Sequence, residues 1–297
     1  MRLIVTGQGG QVVRALIERA AALTDVQVIP VGRPALDLAA PDRIAQALDA
    51  IGADLIVNAA AHTAVDLAES EPEMAFAINE AGAGAVAAAA RRKGVPVIQI
   101  STDYVFDGAL DRPYVEQDAV GPLSVYGASK LAGEHAVSAA NPDSAILRTS
   151  WVYSPFGKNF VATILRLAAE RDELAIVDDQ IGAPTSALDI ADGVLAVARN
   201  LLERPGEPGL RGLFHMTAQG QGSWADFARS ILDSSAALGG PTAGVRPIAT
   251  AQFPTPARRP ANSRLNCERL ARVHDVRLPE WRSSVAAIVA RRLAQSA

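Results

Sequence analysis

Short runs rich in Val and Ile alternate along this chain with longer Ala-rich stretches. Residues 3–6, 26–31, 54–58, 96–101 and 145–149 are apolar at successive positions, which predicts strands covered on both faces, as in a parallel sheet. Between them, 12–23, 40–51, 73–93 and 126–140 have the length and composition of crossover helices. Repeated strand–helix units predict an α/β fold, a Rossmann-like doubly wound parallel sheet with right-handed crossovers. A helix over 188–202 and a strand over 212–217 extend the pattern. Residues 151–185 and 219–297 fit it less well and are rich in Pro and Arg, so we expect them to form a second, smaller α/β lobe. The sheet domain would then comprise 1–150 plus about 186–218.

Composition narrows the classes. With 297 residues, 49% of them hydrophobic and both charge signs mixed, the chain is long enough for about two domains and is not disordered. A net charge of −4 argues against a dedicated nucleic-acid binder. No apolar run approaches the ~18 residues of a membrane span, and the apolar start ends at Gly7, so it reads as a strand rather than a signal peptide. The single cysteine, Cys267, excludes an internal disulfide and a cysteine zinc site, and a reducing, cytoplasmic location is the simplest expectation.

In doubly wound sheets, function collects at the carboxyl ends of the strands. After the first strand, Thr6-Gly7-Gln8-Gly9-Gly10-Gln11 is a Gly-rich turn of the kind that brings backbone N–H groups to a pyrophosphate, although an ordinary βα turn also needs one or two glycines. Valines at 12 and 13 break both common glycine spacings, and Val13 predicts a slightly wider helix–strand fit. After the second strand, Arg33 suits a ribose 2′-phosphate and Asp37 a 2′-hydroxyl; Arg33 stands closer to the strand end, which tilts the reading towards NADPH. Small residues follow the third strand (Ala59, Ala60, Ala61), and His62 among them reads as a supporting or structural residue. No histidine in the chain has ligand spacing, and the acidic run Glu69, Glu71, Glu73 reads as a solvated face rather than a metal site.

The fourth strand ends in Ser101-Thr102-Asp103, where hydroxyls can meet a substrate carbonyl. Further on, Tyr126 and Lys130 stand four residues apart on a predicted helix and so share a face. A nearby ammonium favours phenolate, which would lower the tyrosine pKa towards working pH and make Tyr126 a general acid or base.

These features, with 57–66 (VNAAAHTAVD), 68–72 (AESEP), 101–106 (STDYVF), 126–134 (YGASKLAGE), 148–153 (RTSWVY), 179–185 (DQIGAPT) and 254–265 (PTPARRPANSRL), resemble the dTDP-4-dehydrorhamnose reductase family of the extended short-chain dehydrogenase/reductase superfamily. The resemblance spans nearly the whole chain. It implies an oxidoreductase of dTDP-rhamnose biosynthesis that uses NADPH, or NADH, to reduce the C4 ketone of dTDP-6-deoxy-L-lyxo-4-hexulose. Tyr126 would donate the proton, Lys130 would hold the nicotinamide ribose and tune Tyr126, and Thr102 would polarise the ketone. Gly7, Gly9, Gly10, Gln11, Arg33, Asp37, Leu38, Ala61, His62 and Thr63 match cofactor-binding positions, and Thr102, Asp103 and Trp151 match substrate-binding positions. Arg258, Arg259 and Arg264, with Asn262 and Ser263 among them, form a basic loop suited to the substrate pyrophosphate, against the plainer reading of a solvated loop. We take Arg258, Arg259 and Asn262 as the substrate candidates there, with Gln180, Pro184 and Thr185 as weaker ones. The resemblance also admits a homodimer, and Mg²⁺ at the dimer contact, with no ligands that the sequence locates. Two alternatives stay open: a nucleotide-sugar epimerase or dehydratase, which the lone Asp103 after Thr102 disfavours for dehydration, and a non-enzymatic dinucleotide-binding regulatory subunit.

Overall fold

The computed structural model describes residues 1–296. Six strands, β1 (Arg2–Thr6), β2 (Gln27–Val31), β3 (Leu55–Asn58), β4 (Val97–Thr102), β5 (Ser144–Thr149) and β6 (Gly212–His215), form one sheet in the order β6-β5-β4-β3-β1-β2. Every pairing in it is parallel. The apolar runs of the inner strands are continuous because both faces are covered, whereas the edge strand β2, expected to be covered on both faces, leaves Gln27 and Pro30 exposed. Leu3, Val5, Leu55 and Val57 enter one hydrophobic cluster, whereas Ile4 and Ile56, pointing the other way, enter a second.

Helices α1 (Gln11–Ala21) and α6 (Ala187–Glu203) cover the first face. On the second lie α2 (Pro41–Asp49), α3 (Ala83–Arg92) and α4 (Val125–Ala140). The helix expected over 73–93 is not continuous. A π-helical segment, Ala77–Gly82, separates Pro72–Phe76 from α3. Two contacts account for it: a Cβ on Gly82 would lie 2.5 Å from the Leu38 carbonyl oxygen, and one on Gly133 would lie 2.0 Å from the Asn79 carbonyl oxygen. The segment is squeezed between its neighbours, and the wider turn carries Asn79 inward, as π-bulges at functional sites often do.

The remaining chain carries α5 (Phe160–Ala168), α7 (Trp224–Ala236), α8 (Trp281–Ser296) and three two-stranded ladders, Val152–Tyr153 with Thr185–Ser186, Ile181–Gly182 with Gly222–Ser223, and Glu173–Val177 with Gly244–Ile248. Phe227, Trp281 and Val285 of this part share one hydrophobic cluster with Leu3, Leu16 and Val194 of the sheet part. The two parts therefore pack as a continuous core.

Candidate active site

Strand order reverses between β1 and β3, and in doubly wound sheets the crevice outside the carboxyl ends at that point takes the ligand. A cleft of about 1000 Å³ opens there. Behind Ala59 and Ala60, which line it, runs a buried polar chain: the Thr6 hydroxyl donates to Asn58 Oδ1 (2.6 Å) and accepts from the Ala59 and Ala60 N–H groups, while Asn58 Nδ2 donates to Gln99 Oε1 (2.7 Å).

Gly7, at φ +98°, turns the chain from β1 towards α1 in a conformation that L side chains rarely adopt. A Cβ on Gly9 would meet nothing within 4 Å. The first turn of α1 has neither a side-chain cap nor an acidic residue, so its N–H groups are left to an anion. This cradle fits a dinucleotide pyrophosphate. Val13 is buried, its Cγ2 3.3 Å from where a Gly7 Cβ would stand, and it packs directly beneath the turn. Gln11 also borders the cleft, and its Oε1 accepts from Ser154 Oγ (2.7 Å) and Asn159 Nδ2 (3.0 Å), which pins the 154–159 loop beside the Gly-rich turn. Arg33, Asp37, Leu38, Ala61 and Thr63 border the cleft. Asp37 Oδ1 is already used by the Ala39 N–H (3.0 Å).

His62 does not border it. Its backbone N–H and C=O are held by Asn79 (2.8 and 3.1 Å), and its Nε2 lies 3.7 Å from Glu71. The Asn79 amide also donates to Ser129 Oγ (2.9 Å), tying the π segment to the helix that carries the tyrosine. Glu69, expected to be a solvated residue, instead accepts from the Val125 N–H (2.8 Å) at the start of that helix. Anions are stabilising at a helix N-terminus.

Thr102, Asp103, Tyr126 and Lys130 converge on the inner wall of the cleft. The Thr102 hydroxyl donates to Asp103 Oδ1 (3.1 Å) and accepts from the Tyr104 N–H (3.2 Å), and it stands near enough to Tyr126 to favour the phenolate. The pKa of Tyr126 moves opposite to the expected direction. Burial pushes it up to about 12, with the Thr102 hydroxyl opposing and the Asp103 charge adding. Lys130 does not counter this, because its Nζ donates to the Ile100 carbonyl (2.7 Å); burial pushes it down to about 8, against the Glu134 charge. Desolvation of both groups outweighs the pairing that the four-residue spacing suggests. Asp103 is raised to about 7, chiefly by burial, with the Ser263 and Thr102 hydroxyls opposing.

Trp151 borders the outer part of the cleft at φ 47°, stacked on Trp224 with centroids 3.7 Å apart and planes at 8°. Gly182 makes room for it, since a Cβ there would lie 2.6 Å from Trp151 Cε2. Trp224 Nε1 donates to Gln180 Oε1 (3.2 Å), and Gln180 Nε2 donates to Thr250 Oγ1 (3.0 Å). The basic loop differs from the expectation. Arg259 is committed to Asp66 (Nη2 to Oδ2, 2.8 Å), to Thr255 Oγ1 and to the Ala257 carbonyl. Asn262 donates to the Leu110 and Arg112 carbonyls and accepts from Arg264, so its amide is spent on the loop itself. Arg258 is exposed, and none of these three lines the cleft. Trp224 and Asn79 escape the sequence reading, because nothing near them in the chain marks the partners they meet in space. Among the described residues no group of three or more His, Cys, Asp or Glu could hold a metal ion, and no helix is long and apolar enough to cross a membrane.

The chain matches the family model described as RmlD substrate binding domain over residues 1–293. It belongs to that family. Similar relatives are dTDP-4-dehydrorhamnose reductases from Sinorhizobium fredii, 51% identical with 97% of each chain covered, and from Escherichia coli K12, 43% identical with 96% of each covered. Among solved structures it resembles the dTDP-4-dehydrorhamnose reductase of Clostridium acetobutylicum (TM-score 0.89, 37% identity, 99% of this chain and 100% of that one). It also resembles the Bacillus anthracis enzyme in complex with NADP (TM-score 0.88, 32% identity, 99% of each chain). The family match therefore takes in the Gly-rich turn, the tyrosine helix and the basic loop alike.

Proposed function

We propose that this protein is an NADPH-dependent oxidoreductase that reduces the C4 ketone of dTDP-6-deoxy-L-lyxo-4-hexulose to dTDP-L-rhamnose. The observation that carries the reading is the Thr102–Tyr126 hydroxyl pair, backed by Lys130 and opening on the same cleft as the uncapped Gly-rich turn. Bound NADPH would supply hydride to C4. Thr102 would hold the ketone oxygen, and Tyr126 would give it a proton as negative charge develops. A phenol held protonated by its surroundings is the form that reduction requires, and even at about 12 it is a stronger acid than the alcohol formed at C4, so the transfer runs downhill with less drive than a pKa near working pH would give. The phenolate then regains its proton from solvent.

Lys130 would hold the nicotinamide ribose. Arg33 would take the 2′-phosphate, which favours NADPH over NADH. The 151–185 and 219–296 part would bind the nucleotide half of the substrate, with Trp151 and Asp103 against the sugar and exposed Arg258 the basic group left to meet the pyrophosphate. Arg259 would act indirectly, holding the loop to Asp66. No step calls for Mg²⁺. A cytoplasmic setting accords with this substrate. The test supplies the hexulose with NADPH and follows cofactor absorbance, with the product identified by NMR at C4. Stoichiometric NADPH loss with dTDP-L-rhamnose formed is the expected result. Folded protein that binds NADPH but leaves this ketone untouched, with NADH and Mg²⁺ also tried, overturns the proposal.

A further inference from the structure

Tyr126, Lys130 and Glu134 follow one another at four-residue intervals along α4, so they descend one face from the cleft into the core. Glu134 is 4% exposed, and the groups around it are equally buried. Its Oε1 accepts from Ser101 Oγ (2.5 Å) and Arg148 Nε (2.9 Å), and its Oε2 accepts from Arg148 Nη2 (2.7 Å). Arg148 lies over the Phe106 ring at 5.0 Å, and its Nη1 has no hydrogen-bond partner. Ser101 stands between Ile100, whose carbonyl takes the Lys130 ammonium, and Thr102, which borders the cleft beside Tyr126. One carboxylate thus grips the strand that supplies Thr102 and the Ile100 carbonyl holding Lys130, and it lies one helical turn behind Lys130 itself.

We propose that Glu134 is a positioning residue for the proposed reduction, a buried carboxylate one helical turn behind Lys130 that fixes, through Ser101, the end of β4 on which Thr102 sits. The inference rests on the reductase reading. The charged groups near Lys130 support it. Its own helix offers Tyr126 and Glu134, and β5 offers Arg148, whose guanidinium is spent on Glu134. On β6, His215 is kept neutral, its pKa pushed down to about 3 by burial and by Arg148. Asp103 bears on Tyr126, and the neighbouring π segment brings the neutral Asn79 to Ser129. Among these groups Glu134 is the one that raises the proton affinity of Lys130, against the desolvation that lowers it. A buried ion pair with no further role would stabilise the fold but leave the titration of Lys130 where it is.

The experiment compares wild type, Glu134→Gln and Glu134→Asp by two readouts: the pH profile of kcat/KM, and the pH dependence of NADPH affinity followed by cofactor fluorescence without turnover. The alkaline limb, set by loss of the Lys130 proton, is expected to move down by about one pH unit or more in Glu134→Gln in both readouts. It should return to within a few tenths of the wild-type position in Glu134→Asp, which keeps the charge. If Glu134→Gln does not fold, Glu134→Gln/Arg148→Met removes both buried charges together and should show a displacement in the same direction but smaller, because the lost guanidinium opposed protonation of Lys130. A limb that stays in place, with thermal stability alone reduced, overturns the proposal. Wild-type protein that neither binds NADPH nor reduces the hexulose overturns the reading beneath it, and this inference with it.

Discussion

Gly127 sits one residue beyond Tyr126 in the first turn of α4, and a Cβ there would stand 2.2 Å from the Tyr104 carbonyl oxygen and 3.1 Å from Pro122 Cβ. Both neighbours are held. Tyr104 follows the Thr102–Asp103 pair, and its N–H is tied to Thr102 Oγ1 (3.2 Å). An alanine could reach ordinary contact only if the helix start and the end of β4 parted by roughly 1 Å. That gap opens between Tyr126 on one side and Thr102 on the other, the two hydroxyls that must share one ketone oxygen. A misplacement of about 1 Å can cost ~10²-fold in rate, or about 2.7 kcal/mol in the barrier. Overpacking would separately cost about 1–3 kcal/mol of stability. Gly127→Ala is therefore expected to lose about two orders of magnitude in kcat while retaining NADPH affinity, since the Gly-rich turn is untouched. Steady-state NADPH oxidation gives the first quantity and fluorescence titration the second. Gly209→Ala, where a Cβ meets nothing within 4 Å, serves as the neutral control. A Gly127→Ala enzyme within about threefold of wild-type kcat would refute the claim that this close approach sets the Thr102–Tyr126 geometry.

Asp103 makes stability depend on pH with a definite sign. Its folded pKa of about 7 lies above its ordinary 3.8, so the folded state keeps a proton that the unfolded chain loses. Stability should fall as pH rises through that window, by at most about 1.4 kcal/mol per unit, and level off above it. In Asp103→Asn the slope should flatten, read as denaturation midpoints at pH values on either side of the window. Gly182→Ala should push Trp151 off Trp224, raising KM for the hexulose and changing indole fluorescence, with NADPH affinity kept. Lys130→Met should weaken NADPH binding and slow turnover together, a pairing that separate binding and rate measurements would expose.

Much of the fold was legible because both-face burial leaves a continuous apolar run that is hard to mistake, as in β1, β3, β4 and β5, while the edge strands β2 and β6 were legible from shorter runs that the structure leaves partly exposed. The Tyr126/Lys130 spacing and the Gly-rich turn were legible for a similar reason, since helix period and turn chemistry are local properties. Features that depend on distant partners were not. Nothing near Arg259 in the chain announces Asp66, and nothing near Asn262 announces the carbonyls of Leu110 and Arg112, so residues already paired in the fold read as open ligands. The π segment arises from two close approaches, at Gly82 and Gly133, that an Ala-rich helical pattern conceals. The direction of the Tyr126 shift was misjudged because spacing reports the neighbouring ammonium, while desolvation depends on the whole surrounding structure.

The central claim is that Tyr126 supplies the proton in a reduction at the hexulose C4. Wild type and Tyr126→Phe, run side by side on NADPH and dTDP-6-deoxy-L-lyxo-4-hexulose, test it most directly. The account predicts turnover by the wild type, a loss of about 10²–10⁴-fold in the variant, and NADPH binding by both. Undiminished turnover by Tyr126→Phe would contradict it.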